Sequence, residues 1–268
     1  PFFTSMALLS VSAVILWQYT IWPHIPSQLI SWGGNLTRFW EGELLRWIQA
    51  GRLLLPASII MGMIYPTIFR MSIFPVHNRA QVAAIVSGVN SIGCVSGALI
   101  CGFALIPFLG SERTLILFSV TAVLTGLFLS LIYGKGFPRI AIAVISLILI
   151  TGWTVTNNWD RLALTSGGHV YFKEGHVNRF SRLVYFQEDT LGGITTVIEN
   201  PVDPMNPASG IKRILLTNGK FQADDGQEVN AQTGFALIPA LHSRYRNQAL
   251  VIGFGSGHSA DVVRKMGF

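Results

Sequence analysis

Gln248-Ala249-Leu250-Val251-Ile252-Gly253-Phe254-Gly255-Ser256-Gly257-His258, followed by Ser259 to Phe268, is the stretch that decides how the chain is read. The apolar run Ala249 to Ile252 predicts a buried parallel strand. The glycines at alternate positions predict a tight turn, and Ser259-Ala260-Asp261-Val262-Val263-Arg264-Lys265 the start of a helix. Strand, glycine turn and helix in this order let backbone N–H groups approach a nucleotide or S-adenosyl cofactor with no Cβ in the way. Gly253, Gly255 and Gly257 are therefore candidate cofactor-binding residues. A plain structural turn is the competing reading, because glycine turns join many strands to helices. The acidic residue that holds the ribose hydroxyls in such folds falls about 20 positions further on, past Phe268.

The rest of the chain is more apolar than a soluble enzyme. Of its 268 residues 50% are hydrophobic and only 12% charged, and the mean hydropathy is +0.49. Ordinary soluble domains carry about 25% charged residues. The formal charge of +6 is concentrated in the apolar half: up to Val155 there are 8 Lys/Arg against 3 Asp/Glu, and from there on 11 against 10. A basic excess placed there suits loops flanking a membrane and argues against a nucleic-acid surface. Cys94 and Cys101 lie on one helical face inside an apolar stretch, without a CxxC pair or a ligand cluster. They read as small packing residues rather than redox or zinc chemistry. The abrupt apolar start at Pro1-Phe2-Phe3 and the end at Phe268 read as a fragment cut at both ends.

Five membrane spans are expected in a domain covering residues 1–155: Phe2 to Trp22, Leu53 to Phe74, Val82 to Leu109, Leu115 to Tyr133 and Ile140 to Val155. Each is close to the length that about 30 Å of hydrocarbon demands of a helix. Pro23 to Gln49 is expected to be a connector, with Thr37 to Ile48 an amphipathic stretch lying at the interface. Leu53 to Phe74 contains Pro56 and Pro66 and is closed by charge at Arg70, His77 and Arg79. In Val82 to Leu109, Ser87, Ser91, Gly93, Gly97 and Cys101 repeat small residues on a face that lets a second helix come close, compatible with an oligomer. Asn90 is the one strongly polar side chain there, suited to an interhelical hydrogen bond or a solute path.

After Asn157-Asn158-Trp159 the composition becomes that of a soluble domain. His169 to Phe172, Ser181 to Phe186, Gly193 to Glu199 and Ile211 to Thr217 alternate or are β-branched. Gly167-Gly168, Gly192-Gly193, Asn206-Pro207 and Asn218-Gly219 separate or flank them as turns. A small antiparallel β-domain over 156–229 is expected. A helix from Asn230 to His242 and the strand–turn–helix described above follow in 230–268.

Several of these pieces occur in an order that resembles spermidine synthases: Glu174-Gly175, Gly192-Gly193-Ile194-Thr195-Thr196-Val197, Leu215-Leu216-Thr217-Asn218-Gly219-Lys220-Phe221-Gln222, Ala240-Leu241-His242 and Leu250 to Gly257. The membrane part is similar to helices fused ahead of such domains in bacterial membrane-bound spermidine synthase-like proteins. Their glycine-rich span ends in Leu-Ile-Pro-x-Leu-Gly, here Leu105-Ile106-Pro107-Phe108-Leu109-Gly110. The resemblance covers about residues 50–268. It implies a β-domain followed by the start of a Rossmann-like fold of the S-adenosylmethionine-methyltransferase type. The activity implied is aminopropyl transfer to a polyamine or other amine from decarboxylated S-adenosylmethionine, or a related transfer from S-adenosylmethionine. Gly253, Gly255 and Gly257 would form the cofactor turn, Ser256 would lie in it, and Gln222 would face the cofactor from the β-domain edge. Ser256 stands where the polyamine-making enzymes carry a substrate-contacting Asp. The Tyr that follows their Gln is missing between Ala223 and Gln232, and their catalytic Asp-x-x-Asp region would fall past Phe268, so the fragment alone is expected to be inactive. The setting implied is a multi-pass protein of the bacterial inner membrane, its C-terminal domain in the cytoplasm where adenosyl cofactors are found. The alternative is a transporter or scaffold whose soluble part binds a nucleotide and regulates it.

Overall fold

The computed structural model of the chain describes residues 2–34, 36, 38–71, 79–189, 193–203 and 205–268. They form two compact units: residues 1–25 with 35–160, and residues 26–34 with 161–268.

The first unit is helical. α1 (Phe2–Ile21) is followed by a 3-10 turn at Trp22–His24, and α3 (Phe39–Met71), α4 (Arg79–Ile100), α5 (Ile106–Tyr133) and α6 (Phe137–Val155) complete it. Among the described residues, four helical stretches are long and apolar enough to cross a membrane: Phe2–Gly33, Phe39–Ile68, Ala80–Tyr133 and Pro138–Val155. Such helices satisfy their own backbone groups and are compatible with a lipid bilayer. The two spans expected between Val82 and Tyr133 both lie in the third stretch. At 54 residues, it would extend about 80 Å if straight. It is not straight: a single π turn occupies Cys101–Leu105, and Gly110 leaves the helical region altogether at φ 81°, ψ 164°.

α1 packs along α5 and α6. Leu9, Val123, Ile142 and Leu149 are buried where they meet, with Met6, Leu16 and Ile145 packed against them. Small residues permit the approach: a Cβ on Gly126 would come within 3.2 Å of the Ser5 carbonyl oxygen. Ser12 Oγ and Ser119 Oγ lie 2.6 Å apart, and Trp153 Nε1 donates to Ser119 Oγ at 2.7 Å. At one end of this bundle a carboxylate gathers three chain segments. Glu112, just past the Gly110 break, accepts from Tyr19 Oη at 2.8 Å through Oε1. The same oxygen accepts from the Trp159 backbone N–H at 3.0 Å. Trp159 Nε1 returns a hydrogen bond to the Tyr19 carbonyl, and its ring stacks on Trp22.

One expectation is corrected in this unit. Thr37 to Ile48 was expected to lie at the interface apart from the next span. Instead, Phe39 to Met71 is one continuous helix of 33 residues that includes Pro56 and Pro66. A span needs only about 20 residues, so the amphipathic turns extend the same axis. On α4, Ser87 Oγ lies 2.6 Å from Tyr65 Oη of α3, while a Cβ added to Gly88, Gly93 or Gly97 would meet nothing within 4 Å. Asn90 on this helix is exposed. His77 lies outside the described residues.

The second unit is built on a meander, β1 (Arg182–Asp189), β2 (Gly193–Asp203), β3 (Asn206–Thr217) and β4 (Lys220–Asp224), in the order β1-β2-β3-β4 with every pair antiparallel. Alternation in β2 and β3 puts Ile198, Ile214 and Leu216 on the buried face, with Leu162, Val177, Leu183 and Phe221 against them. Asn218 and Gly219 join β3 to β4 with φ of 50° and 71°, the left-handed pair that a two-residue hairpin turn requires. Gly192 lies outside the described residues; Gly193 opens β2.

The expected strand at His169 to Phe172 is instead a short helix, α8 (Gly168–Tyr171), which follows α7 (Arg161–Leu164). A four-residue apolar run does not distinguish strand from helix by itself, and packing decides. Gly168 sits against the Pro26 carbonyl, and the Phe172 side chain lies where a Cβ on Gly33 would be. Both partners belong to α2 (Ile25–Gly33). Pro23 to Gln49 is therefore more than a connector, since α2 forms part of the β-sheet unit.

His176 lies under this sheet, its ring 4.7 Å from that of Phe221 and 6.3 Å from that of Tyr171. Burial, with Lys212 nearby, lowers its pKa below that of a free imidazole, and Asp224 opposes the shift only in part. The unfolded chain binds this proton more readily, so stability falls as pH drops below about 6.5. Denaturant midpoints measured across this window should decline with acid in the wild type. His176→Gln should lose that part of the slope.

Candidate functional site

α9 (Glu228–His242), the segment 249–255 and α10 (His258–Lys265) surround an open hollow of about 640 Å³. α9 begins where Asp224 Oδ1 accepts from the Gly226 and Glu228 N–H groups at 2.9 and 3.1 Å, the second of them an orphan donor of the helix's first turn. One side of the helix then presents Gln232, Ala236, Pro239 and Ala240 to the hollow.

All three glycines of the turn lie in the left-handed region. Gly253, Gly255 and Gly257 have φ of 86°, 53° and 76°, a region that side-chain-bearing residues enter only under strain. Space for a Cβ at Gly253 and Gly255 is open, whereas at Gly257 it is taken by the Phe254 ring, 2.7 Å away. Gly257 N–H donates to the Phe254 carbonyl at 2.8 Å, and Asp261 N–H donates to the Gly257 carbonyl at 3.0 Å, which starts α10. Asp261 in that first turn is held down to about 2 by hydrogen bonds from Lys265 and Arg264.

Three side chains fasten the turn to α9. Ser256 Oγ donates to Gln232 Oε1 at 2.6 Å, Ser259 Oγ donates to the Gln232 carbonyl at 3.2 Å, and His258 Nε2 lies 2.8 Å from Thr233 Oγ1. Thr233 donates its one hydroxyl proton to the Val229 carbonyl at 2.7 Å. The histidine must then be the donor, which fixes its proton on Nε2 and leaves Nδ1 an acceptor when the ring is neutral.

Gly253 and Gly255 line the hollow, and Ser256 hangs beside it on Gln232. Gln222 is not brought to this place: it is exposed in β4 and is absent from the lining. The buried parallel strand expected at Ala249 to Ile252 does not form. Leu250 and Ile252 are 85% and 90% exposed. A strand is held by ladder hydrogen bonds to a neighbour, and the four-stranded sheet ends at β4 without including this segment.

Sequence reasoning missed Glu228, Gln232 and Thr233. Their signal is polar residues on the first turns of a helix whose next turns are Phe235, Ala236 and Pro239. Compared with protein-family models, curated proteins and solved structures, the chain matches none.

Proposed function

We propose that this chain belongs to a membrane-anchored, spermidine synthase-like transferase that binds S-adenosylmethionine or its decarboxylated form. In this reading Gly253 and Gly255, at the turn that leads into α10, receive the adenosyl group. The amine acceptor enters from the same side, and the soluble unit faces the cytoplasm. One observation carries the proposal. Two left-handed glycines open onto a hollow whose described lining has Phe235, Phe254 and other apolar surface but neither Lys nor Arg. Nucleotide phosphates call for cations or a helix N-terminus free of acid. Asp261 occupies the first turn here, so a neutral or cationic adenosyl compound fits better than a di- or triphosphate.

The test is calorimetric titration of the full chain, in neutral-lipid nanodiscs, with S-adenosylmethionine, decarboxylated S-adenosylmethionine and methylthioadenosine. At least one should bind. Gly255→Val puts a β-branched residue at φ 53° with no neighbour to strike, a strain of about 1–2 kcal/mol that should weaken binding about tenfold. Folded protein that binds none of the three would remove this reading. The transporter alternative ranks second, resting on exposed Asn90 and the open space at Gly93 and Gly97 of α4.

A further inference from the structure

We infer that the segment 172–181 is an acid-released strap: it lies closed on the β-sheet while His176 is neutral, and it comes away when that ring takes up a proton. The inference does not rest on the adenosyl reading. The segment joins α8 to β1 without helix or strand. Lys173, Glu174 and Asn178 to Phe180 are exposed, whereas Gly175, His176 and Val177 are partly buried. Three contacts hold this middle part down. Val177 packs on the core of Ile198, Ile214 and Leu216. The His176 carbonyl accepts from Asn200 Nδ2 at 2.7 Å, and Asn200, itself 5% exposed, accepts from Ser181 Oγ at 2.6 Å. The His176 ring lies against Phe221 of β4 and Tyr171 of α8, and Tyr171 Oη accepts from the Phe221 N–H at 3.0 Å.

The charges beside that ring are balanced without it. Asn200 of β2 is paired directly with Lys212 of β3, and Lys212 Nζ lies 3.8 Å from Asp224 Oδ2 of β4. The Asp224 side chain is only 10% exposed, and its other oxygen accepts from the Gly226 and Glu228 N–H groups. A proton on His176 therefore adds a second cation next to Lys212 when both oxygens of Asp224 are already engaged. Burial near a like charge disfavours the imidazolium, which gains by moving into water. That movement takes Val177 off the sheet and breaks the bond to Asn200. The lowered pKa of His176 has the matching sign. The hold is complete above the free imidazole value of about 6.5 and is lost as pH falls through the lower value of the closed form.

Limited proteolysis of the full chain in a non-ionic detergent reads the strap directly. The rate of cutting within 172–181 is measured with one protease at about pH 7.5 and about pH 5, on either side of the imidazole range. Each rate is divided by that of the free peptide of the same sequence at the same pH. The ratio should rise by about threefold or more in acid while β2 and β3 stay uncut. His176→Gln should remove the pH dependence, whatever its basal rate. Lys212→Met frees Asp224 Oδ2 to receive the imidazolium, so the acid increase should disappear there too. A wild-type ratio that does not change with pH overturns the inference, as does an acid increase that survives either substitution. Cutting of 172–181 only together with β2 and β3 overturns it as well, because the segment would then open only when the whole unit unfolds.

Discussion

Replacing Glu112 with alanine should lower the melting midpoint of the helical unit by about 10 °C, corresponding to about 3 kcal/mol. Both donors that Glu112 satisfies, Tyr19 Oη and the Trp159 N–H, are partly buried and share one carboxylate oxygen. Hydrogen bonds to a charged acceptor contribute about 1.5–3 kcal/mol each, and removing the acceptor strands both donors. Glu112→Gln keeps an acceptor oxygen in place and should cost only about 1 kcal/mol, since it loses the charge but not the geometry. Tyr19→Phe should fall between them, because Trp159 keeps its partner. The order Ala, Phe, Gln in decreasing damage, measured by thermal unfolding in one detergent, is the content of the prediction. Equal midpoints for the alanine and glutamine variants would mean that the contact carries no charge-dependent energy.

Gly167→Ala should be comparably damaging in the sheet unit, also by about 3 kcal/mol, by a different mechanism. Gly167 has φ of 80°, and a Cβ there would lie 2.5 Å from the Gly219 carbonyl oxygen and 3.1 Å from the Tyr171 ring. That carbonyl cannot retreat. It belongs to the β3–β4 turn, where His169 Nε2 donates to the Asn218 carbonyl at 2.9 Å, and Asn218 exchanges 2.7 and 2.8 Å hydrogen bonds with the backbone of Ile194. Left-handed strain alone is worth about 1–2 kcal/mol, and overpacking against fixed backbone adds about as much or more. Gly267→Ala is the control, since φ there is 84° but a Cβ would meet nothing within 4 Å. It should show the strain without the collision. Hydrogen exchange at β3 and β4 amides should rise sharply in Gly167→Ala and not in the control.

The parts of this chain that were legible from sequence are those whose signal is local. Long apolar runs gave the membrane-length helices, β-branched alternation gave β1 to β3, and Asn218-Gly219 gave the hairpin. The glycines at 253, 255 and 257 marked a turn before α10, and their left-handed φ values are what the structure adds. What sequence could not supply depends on partners distant along the chain. His169 to Phe172 became helical because α2 offers Gly33 and Pro26 to it. Ala249 to Ile252 has the composition of a buried strand but no neighbouring strand in the described residues. Gln222 follows a recognisable hairpin, yet β4 turns it outward. Glu112 falls between the expected spans ending at Leu109 and starting at Leu115, and nothing near it in sequence reveals Tyr19 or Trp159.

The placement of α2 has a consequence for how the chain threads the bilayer. α2 and the sheet are pieces of one folded body, 26–34 and 161–268, and two pieces of one body must lie in the same compartment. The polypeptide between them must therefore traverse the lipid an even number of times. Counted as single passes, the stretches Phe39–Ile68, Ala80–Tyr133 and Pro138–Val155 give an odd number and would strand α2 across the membrane from its own domain. Parity is restored if the chain reverses at Gly110, so that the longest stretch goes out and comes back. The backbone departure at that glycine would then be what lets the chain between α2 and the sheet cross the lipid an even number of times.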